Sequence, residues 1–157
     1  MTRTTAREIA LHIGFSVVAN ERFPDEALDE FFEKVHYDSL AAESELYAEY
    51  PDSRQMDYIR RLVQLVFDHR IELNALIEKY SRGWKMERIS RTAAAIMRCA
   101  MCEILYMDDV PNAAAINEAV EIAKKYEDAD VVSFINGVLG GFMRGELGES
   151  TEEAAEE

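Results

Sequence analysis

Two helix-length stretches between residues 111 and 142 constrain the fold of this chain more than any other feature. The apolar face of the first consists of Ile116, Ala119, Val120 and Ala123, which recur at the three-and-four spacing of a core-facing helix. The second begins near Asp130, a good N-cap, and its apolar face consists of Val131, Phe134, Ile135, Val138 and Phe142. We therefore predict two helices that both pack inward.

Both stretches also contain residues that an apolar face does not require. Asn117 and Asn136 lie inside the predicted helices although asparagine lowers helix propensity. The first stretch reads Val-Pro and then Ile-Asn-Glu-Ala, and the second reads Phe-Ile-Asn-Gly-Val-Leu. This combination resembles the NusB family of bacterial transcription antitermination factors, in which the same two motifs occur in this order. The resemblance extends back to Trp84 and Arg98 and, more loosely, to residues 5–8.

Two polar residues of these helices invite different interpretations. Asn136 is surrounded by predicted core positions, so we interpret it as an amide that bridges helices and satisfies buried groups. Glu118 lies opposite the apolar face of its helix, and we expect its carboxylate to be exposed.

The remainder of the chain is also predicted to be helical. Helical periodicity covers residues 4–20, a helix is expected after Asp25, and one long amphipathic helix is predicted over residues 54–80. Residues 37–53 predict a short helix and a loop. The resulting fold class is all-α, a NusB-like bundle of about six or seven helices in residues 1–145, with two packed lobes.

We place the lobes at about residues 1–80 and 84–145, and the large apolar area of Trp84 predicts that it is buried between them. Residues 146–157 are acidic and lack apolar periodicity, so a disordered tail is predicted there.

Composition bounds the class of protein. A chain of 157 residues that is 48% hydrophobic can bury a sizeable core. It contains no long apolar run and no signal-like N-terminus, which predicts a cytoplasmic protein without a membrane partner. Only two cysteines occur, which fits a reducing compartment.

Charge is unevenly distributed along the chain. The net charge is −14, yet residues 58–98 hold nine basic and four acidic side chains, while residues 146–157 hold six glutamates and no base. The densest basic run comprises Lys79, Arg82, Lys85, Arg88, Arg91 and Arg98. By itself such a run is more often a solvated face with local ion pairs. It is also suited to RNA phosphates or an acidic partner.

Nothing in the sequence predicts catalysis, a metal site or a cofactor. Cys99 and Cys102 form a Cys-x-x-Cys motif inside a predicted helix, where buried thiols are the more common outcome. The histidines His12, His36 and His69 are scattered singly, so no set of nucleophile, base and orienting group can be assembled. The chain is therefore not expected to be an enzyme.

The resemblance implies a function. Members of the NusB family bind the boxA element of nascent RNA together with the ribosomal protein NusE, and with other antitermination factors they help RNA polymerase read through terminators in ribosomal RNA operons. By position, the resemblance implies an RNA surface of Arg3, Arg7, Phe15, Tyr126 and Asp130. Glu87 and Glu118 are assigned to the face for the protein partner.

One alternative stays open at this point. The chain could keep the family fold as a protein-interaction or homodimerisation module with little RNA affinity of its own. A folded surface on which Arg3 and Arg7 meet other basic residues favours RNA binding, whereas a uniformly acidic surface favours the interaction module.

Overall fold

The computed structural model describes residues 1–148 as helices and connecting loops, without a strand in that range. The first compact unit, residues 1–68, contains α1 (Arg3–Ala19), α2 (Pro24–Phe31), α3 (Lys34–Ala41) and α4 (Ser53–Asp68). The second begins at His69 and contains α5 (Arg70–Tyr80), α6 (Arg91–Tyr106), α7 (Asn112–Tyr126) and α8 (Ala129–Leu147). Short 3₁₀ helices span Glu45–Tyr47 and Met86–Arg88. The all-α prediction is confirmed, with eight α-helices in the described range.

The core of the first unit forms where α1 packs along α4. Helix α1 buries residues on two sides because it also contacts α2 and the 3₁₀ helix Glu45–Tyr47. Its first turn is capped by Thr2, whose hydroxyl accepts a hydrogen bond from the backbone N–H of Thr5 at 3.1 Å. The core side chains include Ile9, Ile13, Val17, Ile59, Leu62 and Val66, all 3% exposed or less.

The acidic middle of the chain is held together by aromatic rings. Tyr37 of α3 is buried, and its hydroxyl donates to the carbonyl oxygen of Glu49 at 2.8 Å. Tyr50 donates similarly to the carbonyl oxygen of Phe32 at 2.9 Å. Both rings contact neighbouring aromatic side chains at edge or stacked geometries. These contacts fix the short helix and loop that the sequence predicts here.

The predicted helix over residues 54–80 is interrupted at His69, which lies between α4 and α5. The His69 ring stacks on Tyr106 with 3.9 Å between centroids, and its Nδ1 lies 3.3 Å from a carboxylate oxygen of Glu72. The Tyr106 hydroxyl donates to the same carboxylate at 2.7 Å. The first compact unit ends at Asp68 and the second begins at His69, whereas the predicted lobes divide at residues 80–84.

In the second unit, α6 is covered by α5, α7 and α8 and buries eleven of its residues. Cys99 and Cys102 are buried on this helix and form no disulfide. The ring of Tyr80 lies against α8 at Gly141 and Gly145, and a Cβ atom at Gly145 would overlap the Tyr80 hydroxyl. Close approach of this ring therefore requires glycine at position 145.

Helix α8 continues past the predicted start of the tail. Glu146 accepts hydrogen bonds from Lys79 Nζ at 2.8 Å and from the Tyr80 hydroxyl, and Gly148 ends the helix in the left-handed conformation with φ 69°. Glu146 and Leu147 thus belong to α8 rather than to a disordered segment. The rest of the predicted tail, residues 149–157, lies outside the described residues.

Several expectations about individual side chains are wrong. Trp84 is 54% exposed rather than buried, because residues 81–84 turn it outward. Asn136 is exposed on α8, so it does not bridge buried groups. The N-cap of α8 is Asp128, which accepts from the backbone N–H of Val131 at 3.1 Å, while Asp130 lies in the first turn. Among residues 1–148, no helix is both long and apolar enough to span a membrane.

Candidate nucleic-acid interface

Two arginines at the start of α1 converge on Tyr58 of α4. The guanidinium of Arg3 lies 4.0 Å from the Tyr58 ring centroid, and that of Arg7 lies 5.6 Å from it. The Nε of Arg3 also donates to the side-chain oxygen of Gln55 at 2.8 Å. Arginine stacks readily on aromatic faces, so the buried Tyr58 ring orients both side chains.

The two arginines differ in accessibility. Arg3 is half-buried, whereas Arg7 is 6% exposed and is buried next to the equally buried Glu8. Arg3 therefore offers the more accessible guanidinium, and Arg7 contributes mainly by packing against Tyr58. Sequence patterning did not distinguish the two, because both lie one helical turn apart on the same side of α1.

Further basic residues extend this surface along α4. Arg54 and Arg61 are exposed and lie one turn before and after Tyr58 on the same face of the helix. We call Arg3, Arg7, Arg54, Tyr58 and Arg61 the Tyr58 cluster. Four arginines thus belong to the cluster, in a chain with a net charge of −14.

The chain terminus beside the cluster is less basic than its formal charge suggests. The Met1 amino group donates to Glu49 Oε2 at 2.8 Å, and this hydrogen bond is the main reason that the pKa of the amino group is raised. Its charge is therefore largely compensated locally. The positive surface of the first unit rests on the arginines rather than on the terminus.

Phe15 lies two turns beyond Arg7 on α1 and is half-buried. Part of its ring is accessible for stacking. His12 on the same helix is also half-buried, and burial lowers the pKa of its imidazole while the charge of Glu8 partly opposes that shift. Both residues follow Arg7 along α1.

The other predicted RNA residues lie at the junction of α7 and α8. Tyr126 ends α7 and is 41% exposed, while Asp130 is exposed in the first turn of α8. Between them, Glu127 accepts a hydrogen bond from the hydroxyl of Ser90 at 2.6 Å, and Ser90 is in turn the N-cap of α6. This bond ties the junction to the start of α6.

The two residues assigned to the partner face occupy different settings. Glu87 is exposed in the 3₁₀ helix Met86–Arg88. Glu118 on α7 is half-buried rather than exposed, and its neighbour Asn117 is the exposed residue at that point of the helix. The sequence analysis did not single out Gln55 or Tyr58, because the pattern of residues 54–80 contains no information about the arginine of α1 that both contact.

Comparison with known proteins identifies the relatives of this chain. The sequence profile of the NusB family matches residues 4–144. The transcription antitermination protein NusB of Symbiobacterium thermophilum is 35% identical over 155 residues, which cover 99% of this chain and 97% of that protein. The NusB protein of Acetivibrio thermocellus is 35% identical over 147 residues, covering 94% and 92% of the two chains.

Solved structures share the fold at lower identity. A structure of T. maritima NusB covers 100% of this chain and 99% of its own, with a TM-score of 0.75 and 22% identity. A chain from the crystal structure of a plectonemic RNA supercoil covers 96% and 100%, with a TM-score of 0.76 and 21% identity. At these identities the likeness concerns the fold.

Proposed function

Because this chain belongs to the NusB family of transcription antitermination proteins, we propose that it binds boxA-type single-stranded RNA together with the ribosomal protein NusE. In this role it promotes read-through in ribosomal RNA operons, acting in the cytoplasm with RNA polymerase and other antitermination factors as indirect partners. It acts by binding, through arginines and aromatic rings that contact the RNA.

The observation that carries the proposal is the Tyr58 cluster. Arg3 is held by Gln55 and by the Tyr58 ring, so its guanidinium is oriented before RNA arrives. Preorganised arginines lose less side-chain entropy when they bind phosphate. Arg54 and Arg61 add charge on the same helix face, and the accessible part of the Phe15 ring offers a stacking surface.

The second unit supplies the remaining predicted contacts. Tyr126 presents a partly exposed ring for a base, and Asp130 presents a carboxylate that can accept a hydrogen bond from a base amino group or a 2′-hydroxyl. Such contacts add sequence preference to the sequence-independent attraction of the arginines. A similar chain was solved in the crystal structure of a plectonemic RNA supercoil, which supports an RNA partner for this fold.

A basic partner explains how an acidic protein holds RNA. The net charge of −14 repels phosphates at long range, and the Tyr58 cluster provides only a few phosphate contacts. A basic ribosomal protein would add both charge and RNA surface. The exposed carboxylate of Glu87 is suited to pair with such a partner, and Glu118 lies on the face assigned to it.

The test is a titration of fluorescently labelled boxA RNA, measured by anisotropy with and without NusE. We expect weak binding by the protein alone and binding at least about fivefold tighter in the presence of NusE. Arg3→Glu should weaken the ternary complex at least about fivefold while leaving NusE binding unchanged. Arg7 is unsuitable for this test because it is buried.

Two further variants separate the roles. Glu87→Lys should weaken NusE binding, and with it the ternary complex, without changing RNA binding by the protein alone. Lys34→Glu makes the same change in net charge as Arg3→Glu at an exposed position of α3, so it controls for charge alone. Tight boxA binding without NusE, or equal effects of Arg3→Glu and Lys34→Glu, would contradict the proposal.

The second candidate function is a protein-interaction or homodimerisation module with the family fold and little RNA affinity. The strongly acidic composition favours it. The same experiment decides between the two, because this module would show no ternary RNA complex at any NusE concentration. Sedimentation velocity would then show self-association of the free protein.

A further inference from the structure

Three exposed cations follow the end of α5. They are Arg82, Lys85 and Arg88, and we call them the cation group. Within residues 1–148, the one ion pair that involves the group joins Lys85 Nζ to a carboxylate oxygen of Glu78 at 3.7 Å. The two arginines are not ion-paired in that range, although the net charge of the chain is −14. The group therefore offers positive charge to an anionic segment.

The turn after α5 holds the first members of the group beside the last turn of that helix. The hydroxyl of Ser81, which is 2% exposed, lies 3.1 Å from the carbonyl oxygen of Glu78 and 2.9 Å from that of Trp84. Between them, Arg82 adopts a positive φ of 53°, and the Trp84 N–H donates to the Ser81 carbonyl at 3.3 Å. Together with the ion pair of Lys85, this tight turn keeps the cations near the C-terminal end of α5.

Helix α8 ends at the same place. The ring of Tyr80, the last residue of α5, lies against α8 at Gly141 and Gly145. One residue further along α8, Glu146 accepts hydrogen bonds from Lys79 Nζ at 2.8 Å and from the Tyr80 hydroxyl. The chain therefore leaves α8 beside the C-terminal end of α5, where the cation group begins.

Glu146 shows how a glutamate of this acidic stretch interacts with the end of α5. The side-chain hydrogen bond from Lys79 is the main reason that the pKa of Glu146 is lowered, and the same bond raises the pKa of Lys79. Each partner thus stabilises the charged form of the other. The stretch continues with five more glutamates and no basic residue in residues 149–157.

Residues 149–157 can reach the cation group from the end of α8. Nine residues span at most about 30 Å when extended. Arg82 and Lys85 follow Lys79, which Glu146 contacts, by three and six residues. A segment tethered this closely meets the group at an effective concentration in the millimolar range. Ion pairs that are too weak to hold a free peptide therefore form within the chain.

We propose that the glutamates of residues 149–157 contact the cation group of the same chain and act there as a competitor. An external polyanion can then reach these cations only by displacing the segment. The contact is electrostatic, so salt weakens it, because the Debye length falls from about 10 Å at 0.1 M to about 3 Å at 1 M. An acidic partner protein would match the charge equally well, but it would lack the covalent tether beside Lys79.

The inference goes beyond the proposed function, which assigns no role to residues 149–157 and places its partners elsewhere. It requires neither boxA RNA nor NusE. The contact needs only the charge of the segment, its attachment at the end of α8 and the three cations.

The test attaches a nitroxide spin label to the full chain at Ala155→Cys and follows the indole N–H of Trp84 by NMR. Trp84 is the one tryptophan in the chain and lies between Arg82 and Lys85, so its indole signal is unique and close to the cation group. Both natural cysteines are buried, which directs the label to position 155. We expect the label to broaden this signal at about 0.05 M salt and to broaden it much less at about 0.5 M salt.

A matched variant separates the contact from simple tethering. It carries the same label, and glutamine replaces all five glutamates of residues 149–157, so the segment keeps its length and loses its charge. Broadening in this glutamine variant is the baseline for a tethered segment without ion pairs. We expect at least about twofold stronger broadening with the glutamates present, and we call the difference the excess broadening.

Variants of the cations locate the contact. Lys85→Gln combined with Arg88→Gln should remove most of the excess broadening. Lys34→Gln combined with Lys124→Gln removes the same charge at exposed positions outside the group and should leave the excess nearly unchanged. Circular dichroism checks that each variant is folded.

Inorganic polyphosphate tests the competition itself, because it is a polyanion without a base or a sugar. Added to the labelled chain, it should displace the segment and lower the broadening to the baseline of the glutamine variant. Excess broadening that persists at saturating polyphosphate would exclude the role as a competitor.

Three further outcomes would overturn the inference. The first is equal broadening in the labelled chain and its glutamine variant. The second is an excess that survives loss of Lys85 and Arg88, and the third is an excess confined to amide signals of α1 and α4, which would place the segment on the Tyr58 cluster. Because boxA RNA and NusE are absent, these outcomes leave the proposed function intact, and failure of boxA binding leaves this contact intact.

Discussion

The Tyr58 cluster and the segment around Trp84, residues 81–91, use the same residue types in opposite ways. In the first, the aromatic ring is buried and the arginines lie over it, so that Arg7 is only 6% exposed. In the second, the ring is 54% exposed and the surrounding cations extend into solvent. A buried ring orients a few guanidinium groups and contributes to folding. An exposed ring is itself available to a ligand and contributes little to folding.

The largest expected effect comes from replacing each aromatic residue with alanine and comparing the loss of stability. Tyr58→Ala should lower the free energy of unfolding by roughly 3–5 kcal/mol, because it empties a core position and removes the platform for two arginines. Trp84→Ala should cost roughly 1 kcal/mol, since about half of the ring is already in water. Urea unfolding followed by circular dichroism measures both. Equal costs would show that the two rings do not differ in this way.

Charge reversal of one arginine in each region gives the next largest effect. Arg7→Glu should destabilise the protein by about 3 kcal/mol, because it places a second buried carboxylate next to Glu8. Arg88→Glu, at an exposed position, should change stability by less than about 0.5 kcal/mol. Thermal unfolding of the two variants side by side provides the measurement. A stable Arg7→Glu protein would mean that the Arg7 side chain can leave its place against Tyr58.

The smallest expected effect is a dependence of stability on pH that arises from His12 in the first unit. Burial lowers the pKa of His12, with Glu8 partly opposing, so the unfolded chain binds a proton there at higher pH than the folded chain does. The resulting stability is present above about pH 6.5 and is lost as the pH falls from there towards the folded pKa. The groups that share its cleft are Arg22, Glu30, Glu33 and His36.

His12→Gln should flatten the decline in stability between about pH 6.5 and 5, as measured by urea unfolding across that range. His36→Gln, a change at an exposed imidazole, is the matched control. A decline that persists in His12→Gln would assign it to another group.

Much of the fold could be predicted because its signals are local. The apolar stripes of α7 and α8 follow from spacing alone, and the motifs within them indicate the family that the relatives then show. Asn136 marks where this reasoning failed. Its neighbours in sequence are core residues, but successive helix positions point in different directions, and its own direction is towards solvent.

For the candidate sites, the sequence predicted which positions carry basic or aromatic residues, but not which side chains those residues contact. A basic residue at the start of α1 suggests a phosphate contact, yet the partners of Arg3 and Arg7 come from α4, some fifty positions later in the chain. The periodicity of α1 contains no information about the ring that these arginines meet. Similarly, the sequence of the basic run does not distinguish Arg98, which donates a hydrogen bond to Asn74, from Arg88, which is exposed.

The sequence by itself determined that the chain is helical, which face of most helices packs inward, the net negative charge and the family. The tertiary structure decided where residues 54–80 break, because the His69 ring stacks on Tyr106 of a different helix. It also decided which arginine is buried and which aromatic ring is exposed. Helix formation depends on neighbours within a turn or two, whereas exposure depends on what distant segments cover, and that is set only when the helices pack.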